Sequence, residues 1–168
     1  LKIGFHSATT DNPAESGESV EDFIMAYEWT MSAIWKFAGG ESIANVLRLH
    51  YWYATDEMVE YLTKQGVEGL LCSDSMGESY DLTTEQMDEL YGSCNGLLEE
   101  EITYYVTDFR VENMVDVEAE LKKRKNDRVI VLFTHVWDFE ENYEKFEKAI
   151  EWLYNNRYQF TTLEELGE

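Results

Sequence analysis

The chain has three histidines, and each closes a short apolar run: His6 ends Lys-Ile-Gly-Phe-His, His50 ends Val-Leu-Arg-Leu-His, and His135 ends Val-Leu-Phe-Thr-His. Runs of this composition predict strands. If the strands run parallel, all three imidazoles share one rim, at the carboxyl ends where such sheets gather their ligands. Asp74 follows Leu-Leu-Cys-Ser and Asp108 lies within Tyr-Tyr-Val-Thr-Asp-Phe-Arg, so both add carboxylates to that rim. Imidazole with carboxylate is a common ligand set for zinc, and an imidazole that titrates near neutral pH also serves as general acid or base. Taken singly, a histidine at a strand exit also serves simply to satisfy backbone groups. The meeting of three, with none elsewhere, points to function.

Other residues cluster around these positions. Asp11 lies five residues beyond His6, close enough to bend back as a further metal ligand, although Asp beside Asn-Pro is also turn chemistry. Arg48 precedes His50 by two and, on a strand, points to the same side, where it can orient a carboxylate or a substrate oxygen or form an ordinary ion pair. Tyr51, Trp52 and Tyr53 follow His50, and Trp137 follows His135. Their flat amphipathic rings suit stacking on sugar faces, and core packing explains them equally well. Ser7, Ser73 and Ser75 stand in no GxSxG context, and neither Gly39-Gly40 nor the Gly66 to Gly69 stretch makes a phosphate loop.

The elements that must position these residues follow from periodicity. A strand over Lys2 to His6 leads into a polar loop from Ser7 to Glu18. Ser19 then caps an amphipathic helix that runs to Ala38, with Phe23, Tyr27, Ile34 and Phe37 as its core stripe. Further strands are expected over Ile43 to His50, Val67 to Ser73, Ile102 to Phe109, Arg128 to Thr134 and Tyr158 to Thr162. Helices are expected over Thr55 to Gln65, Thr83 or Thr84 to about Gly92, Asp116 to Lys125, and Glu140 to Asn156. Arg128 to Thr134 reads as a strand buried on both faces. Alternating strands and helices predict an α/β fold with parallel crossovers rather than hairpins, either doubly wound or an incomplete, distorted (β/α) barrel.

Composition narrows the partners. With 168 residues and 44% of them hydrophobic, the chain can bury the core of one domain. Its net charge of -22 repels nucleic acid and anionic membranes. No apolar run approaches the ~20 residues that span a bilayer, and the visible start has no basic-then-apolar signal pattern; the expectation is a soluble protein of unassigned compartment, with the cytoplasm favoured over secretion. Cys72 and Cys94 make no metal-binding pair or disulfide framework.

The carboxyl end carries a resemblance. Val-Ile-Val-Leu-Phe-Thr-His135, a helix ending Trp-Leu-Tyr-Asn-Asn-Arg, and then Tyr-Gln-Phe-Thr-Thr-Leu-Glu-Glu-Leu are similar to the last histidine motif, final helix and closing strand of the polysaccharide deacetylase family with its NodB-type distorted barrel. Phe5-His6-Ser7 resembles the start of that family's metal motif, with Thr10 where a second histidine normally stands. Arg48-Leu49-His50-Tyr51-Trp52 resembles its arginine motif, with His50 in place of proline. Asp74 stands where the family often places the carboxylate that tethers the arginine. The family's paired aspartates have no counterpart and would precede Leu1.

The resemblance implies a metal-dependent hydrolase of acylated carbohydrate. His6, with His50 or Asp11, would hold a divalent ion, zinc above others. His135 would act as proton donor, with Arg48 and Asp74 in the catalytic machinery and Tyr51, Trp52 and Trp137 against the sugar. The alternative is a non-catalytic carbohydrate-binding or assembly domain on the same fold.

Overall fold

Parallel pairing sets the direction of most strands. In the computed structural model, which describes residues 2–7, 9–75, 77, 79–92, 96–99 and 101–166, a four-stranded sheet contains β1 (Val46–Leu47), β2 (Gly69–Leu71), β3 (Leu97–Glu99) and β4 (Ile102–Tyr105) in the order β1-β2-β4-β3. β1 to β2 and β2 to β4 are parallel, with Val46 opposite Gly69 and Gly69 opposite Thr103. A second parallel pair joins β5 (Phe109–Arg110) to β6 (Leu132–Phe133). Gly69 permits the close approach of β2 and β4, because a Cβ there would lie 2.7 Å from the Tyr105 ring and 3.0 Å from the Thr103 carbonyl.

Between the strands, α2 (Val20–Ala38), α3 (Asp56–Lys64), α4 (Thr84–Gly92), α5 (Val117–Lys123) and α7 (Tyr143–Asn155) form the main helices. The one-turn helices α1 (Pro13–Ser16) and α6 (Val136–Phe139) add to them. Local chemistry sets several boundaries. The Ser19, Thr55 and Asp116 side chains accept hydrogen bonds from the backbone N–H groups of Asp22, Met58 and Ala119, each satisfying a donor the helix leaves open. The chain is thus a mixed α/β fold with a parallel-rich sheet and, among the described residues, seven α-helices. Among those residues its strands form open sheets and no closed barrel.

Among the described residues two apolar cores result. The larger packs Phe5, Leu47, Leu49, Leu70 and Tyr104 against Phe23 and Tyr27 of α2, Met58 and Leu62 of α3 and Leu90 of α4. The smaller joins Val111, Met114, Val117, Leu121 and Ala149, with Leu132 and Phe146 at its margin.

Several expected elements differ. The Lys2 to His6 segment forms only the parallel bridge of Ile3 to Ile43, although His6 O also accepts from His50 N. Strand 102–109 is interrupted because the Asp108 carboxylate, rather than a regular ladder, takes the Val131 N–H at 2.7 Å. The 128–134 run pairs only at Leu132 and Phe133 and is half-buried, not covered on both faces. Tyr158 to Thr162 forms no strand; the Tyr158 hydroxyl instead ties the segment to the carbonyls of Arg124 and Asp127. β3 and β4 pair antiparallel in close succession, against the expectation that hairpins are absent. Phe37 is 87% exposed rather than core. At ~1.5 Å per residue, a 19-residue helix outruns strands only two to four residues long. The turn containing Cys94 lies outside the described residues.

Candidate active site

Backbone bonds extend the strand ladders past their regular parts and so align the carboxyl ends. His50 N donates to His6 O at 3.0 Å, Cys72 N to Tyr105 O at 2.7 Å, and Asp108 N to Val131 O at 3.0 Å. The buried Thr107 hydroxyl adds a bond to Cys72 O. Successive strand ends therefore sit side by side, carrying His6, His50, Asp74, Arg110 and His135.

His6 and His50 meet directly. His6 Nδ1 lies 2.5 Å from the Arg48 carbonyl, and His50 Nε2 lies 3.3 Å from the Thr10 carbonyl. A carbonyl only accepts, so each of those nitrogens carries the proton and donates. The remaining nitrogens, His6 Nε2 and His50 Nδ1, then face each other with lone pairs at 3.3 Å. Two lone pairs so placed repel unless a proton or a cation lies between them. Removal of water from the ring lowers the His6 pKa. The hydrogen bond to Arg48 O opposes this shift, and the charges of Arg48, His50 and His135 add to it. Neutral imidazole therefore prevails at pH 7, the form that ligates metals.

His50 is turned toward His6 by an unusual backbone. Tyr51 and Trp52 have φ of 52° and 50°, a left-handed conformation that costs bulky residues roughly 1–3 kcal/mol each. Tyr80 fastens this turn. Its N–H donates to Trp52 O at 2.7 Å, and its buried hydroxyl accepts from Leu49 N and donates to Leu71 O.

His135 belongs to a second group. Its Nδ1 lies 2.7 Å from Glu112 Oε1 and 3.5 Å from Asp138 Oδ2. Glu112, His135 and Asp138 place their ligand atoms within 4.8 Å of one another and, among the described residues, are the group of three that could hold a metal ion. The Glu112 side chain is only 9% exposed. Burial alone would raise its pKa. Hydrogen bonds from its own backbone N–H, His135 and Thr134, together with the charge of His135, outweigh burial and hold it below the usual value. An ionised Glu112 fixes a proton on His135 Nδ1. Trp137 stacks on His135 at 4.4 Å between centroids, with Phe133 edge-on to the same imidazole at 4.6 Å.

Phe133 links the two groups. Arg48 lies 4.2 Å from its ring centroid and Arg110 5.3 Å, while Arg48 also lies 5.2 Å from the Trp52 ring. Asp74 pairs with Arg110 at 3.2 Å, not with Arg48 as its place in the sequence suggests, because Arg110 occupies the adjoining strand end. Among the described residues no carboxylate lies within ion-pair distance of Arg48. The Trp52 indole N–H and Arg110 Nε are buried without partners.

The structure therefore brings His6 to His50, and sets Arg48 beside Trp52 and Trp137 beside His135. Asp11 is exposed and joins no metal-capable group among the described residues. Asn12 caps α1 and so sets the course of the loop, leaving the Thr10 carbonyl as the group that reaches His50. Tyr51 is 53% exposed and packs edge-on to His50. Glu112, Asp138, Arg110 and Phe133 were missed. Asp108, Arg110 and Glu112 alternate with period two, and Asp138 lies three residues beyond His135; those spacings were the readable signal. Compared with protein-family profiles, curated proteins and solved structures, the chain matches none.

Proposed function

We propose that the rim is the active centre of a metal-dependent hydrolase of the polysaccharide-deacetylase type, acting on the acyl group of an acylated carbohydrate. The observation that carries the proposal is the approach of His6 Nε2 and His50 Nδ1 to 3.3 Å while each ring's other nitrogen is held by a carbonyl. Two zinc–nitrogen bonds of ~2.0–2.1 Å at the tetrahedral angle put their nitrogens about 3.3–3.4 Å apart, and the observed separation is 3.3 Å. Each ring's other nitrogen is held by a backbone carbonyl, the outer support usual for metal-bound histidine. By contrast, the His135 Nδ1 proton already satisfies Glu112, so that group is assigned to proton transfer.

His6 and His50 would hold a divalent ion, which when bound would lower the pKa of a water to ~7 and polarise the acyl oxygen. His135 Nε2 takes the proton of the attacking water as the new carbon–oxygen bond forms. It returns that proton to the departing nitrogen or oxygen as the acyl bond breaks, so one imidazole serves as base and then acid. Glu112 holds its tautomer and steadies the imidazolium between the two steps. Arg48, unpaired by any described carboxylate, and the unpartnered Trp52 N–H offer donors for the charge that develops on the acyl oxygen.

The test is carboxylate release from chito-oligosaccharides acylated with groups from acetyl to dodecanoyl by the zinc-loaded chain. His135→Ala should cut the rate by about 10²–10⁴, the usual worth of a positioned acid or base, while the bound zinc stays in place. No release by the native chain, or an undiminished rate in the variant, would reject the proposal. A second reading, a carbohydrate-binding domain without turnover, is favoured by the outward faces of Trp137, 71% exposed, and Tyr51, 53% exposed. Saturable binding of the oligosaccharides without release of any carboxylate would select it.

A further inference from the structure

We infer that the acyl group removed at the rim is a linear hydrocarbon chain, housed in a cavity behind the reactive residues; the inference rests on the hydrolase reading above. The cleft of about 340 Å³ that contains His6 and Arg48 is floored by Leu71, Thr162 and Leu163. The same three residues form one wall of a second cavity, of about 460 Å³. The rest of that cavity is dominated by Ile130, Leu132, Phe146, Ile150, Leu153 and Phe160. The two spaces therefore adjoin, the first carrying His6 and Arg48 in a largely apolar lining, the second more apolar still.

This second cavity borders the smaller core. Leu132 and Phe146 flank the smaller core but remain only partly buried, Ile150 is 38% exposed, and Phe160 is 63% exposed. The run from Arg128 to Thr134 has the composition of a strand covered on both faces, and here it is half-covered. Apolar walls of this extent give a sugar hydroxyl few hydrogen-bond partners, and burying an unpaired hydroxyl is unfavourable. An alkyl chain makes no such demand and gains from every methylene removed from water. The volume falls within the ~300–1,000 Å³ of ordinary ligand sites. With its carboxyl carbon beside His6 and Arg48, a substrate would lay its chain over Leu71 toward Ile150.

The experiment uses the whole chain and the sodium alkanoates from butanoate to dodecanoate as probes, followed by titration calorimetry. Affinity should rise by up to about fourfold per methylene, which is ~0.8 kcal/mol per CH₂ written as a ratio, and then level off when the cavity is full. Ile150→Trp, which fills the cavity from α7, should flatten the series and weaken decanoate at least tenfold. Phe160→Asp, at an exposed position that tolerates change, should weaken decanoate and leave butanoate unaltered. Equal affinity across the series overturns the inference. So does a slope that survives both variants, since the chain would then be bound elsewhere, for instance on the exposed Trp29 and Phe37 of α2. Binding is read without turnover, so an inactive rim leaves this result intact, whereas an active rim with a flat series rejects this inference alone.

Discussion

Zinc should raise the melting temperature of the chain through His6 and His50, and the size of that shift can be worked out beforehand. A ligand that binds only the folded state at 100 times its Kd adds ~2.7 kcal/mol. For a domain of this size, 1 kcal/mol moves the midpoint by roughly 2–4 °C, so the expected rise is about 5–11 °C. His50→Gln removes one of two facing nitrogens, a larger loss than the ~10–100-fold that follows removal of an outer-shell partner. At a hundredfold weaker Kd the same zinc concentration merely equals Kd, the gain falls to RT ln 2, or ~0.4 kcal/mol, and the shift shrinks to about 1–2 °C. His6→Gln should behave alike. The assay is differential scanning fluorimetry across a zinc titration, with Asp138→Asn as the comparison. If Asp138→Asn abolishes the shift and the two histidine variants keep it, the ion sits with Glu112 and His135, and the lone-pair reasoning is wrong.

Other consequences concern the scaffold. Glu112 is held below its ordinary pKa of 4.5, so its contribution to stability is complete above pH 4.5 and fades as pH falls through the folded value. Urea unfolding across that range should show a shallower acid loss in Glu112→Gln than in the native chain. Burial pushes the Cys72 thiol up to about 12. Iodoacetamide at pH 8 should therefore label Cys72 only after unfolding, as peptide mass mapping will read. Leu62 on α3 has no exposed surface and sits in the larger core. Leu62→Ala should cost about 2–5 kcal/mol in chemical denaturation, and a loss below 1 kcal/mol would contradict the packing described.

The helices were the legible part of the chain. Ser19 followed by Asp22, and Thr55 ahead of an apolar stripe, are local signals, and the structure places both caps there. Periodicity was a poorer guide to strands, since it reports which residues suit a sheet and not whether a partner edge exists. Tyr158 to Thr162 has strand composition but lies where its tyrosine finds carbonyls beyond α5. The Phe37 ring fits the helical stripe yet extends past short strands. Likewise, the alternation of strands with helices gave the α/β class correctly, while the close succession of β3 and β4 depends on a turn with no distinctive Asn-Gly or Asp-Gly signal.

The site itself was legible in residue type and obscure in pairing, and the reason lies in one turn. Strand ends place His6 and His50 in the same neighbourhood, but facing nitrogens require the chain to turn back immediately after Leu49. It does so through Tyr51 and Trp52, both left-handed, where sequence rules would favour glycine or asparagine. No propensity could assign that conformation to two adjacent aromatic residues. Tyr80, nearly thirty residues further on, sustains it with its N–H on Trp52 O and its hydroxyl between Leu49 and Leu71. Replacing Tyr80 by phenylalanine would keep the ring and remove the two hydroxyl bonds, and it touches neither histidine. If the strained turn is what sets His50 against His6, the zinc-induced rise in melting temperature should fall in Tyr80→Phe along with the base stability. A variant that loses stability yet keeps the full zinc shift would show that His50 reaches its position without the turn.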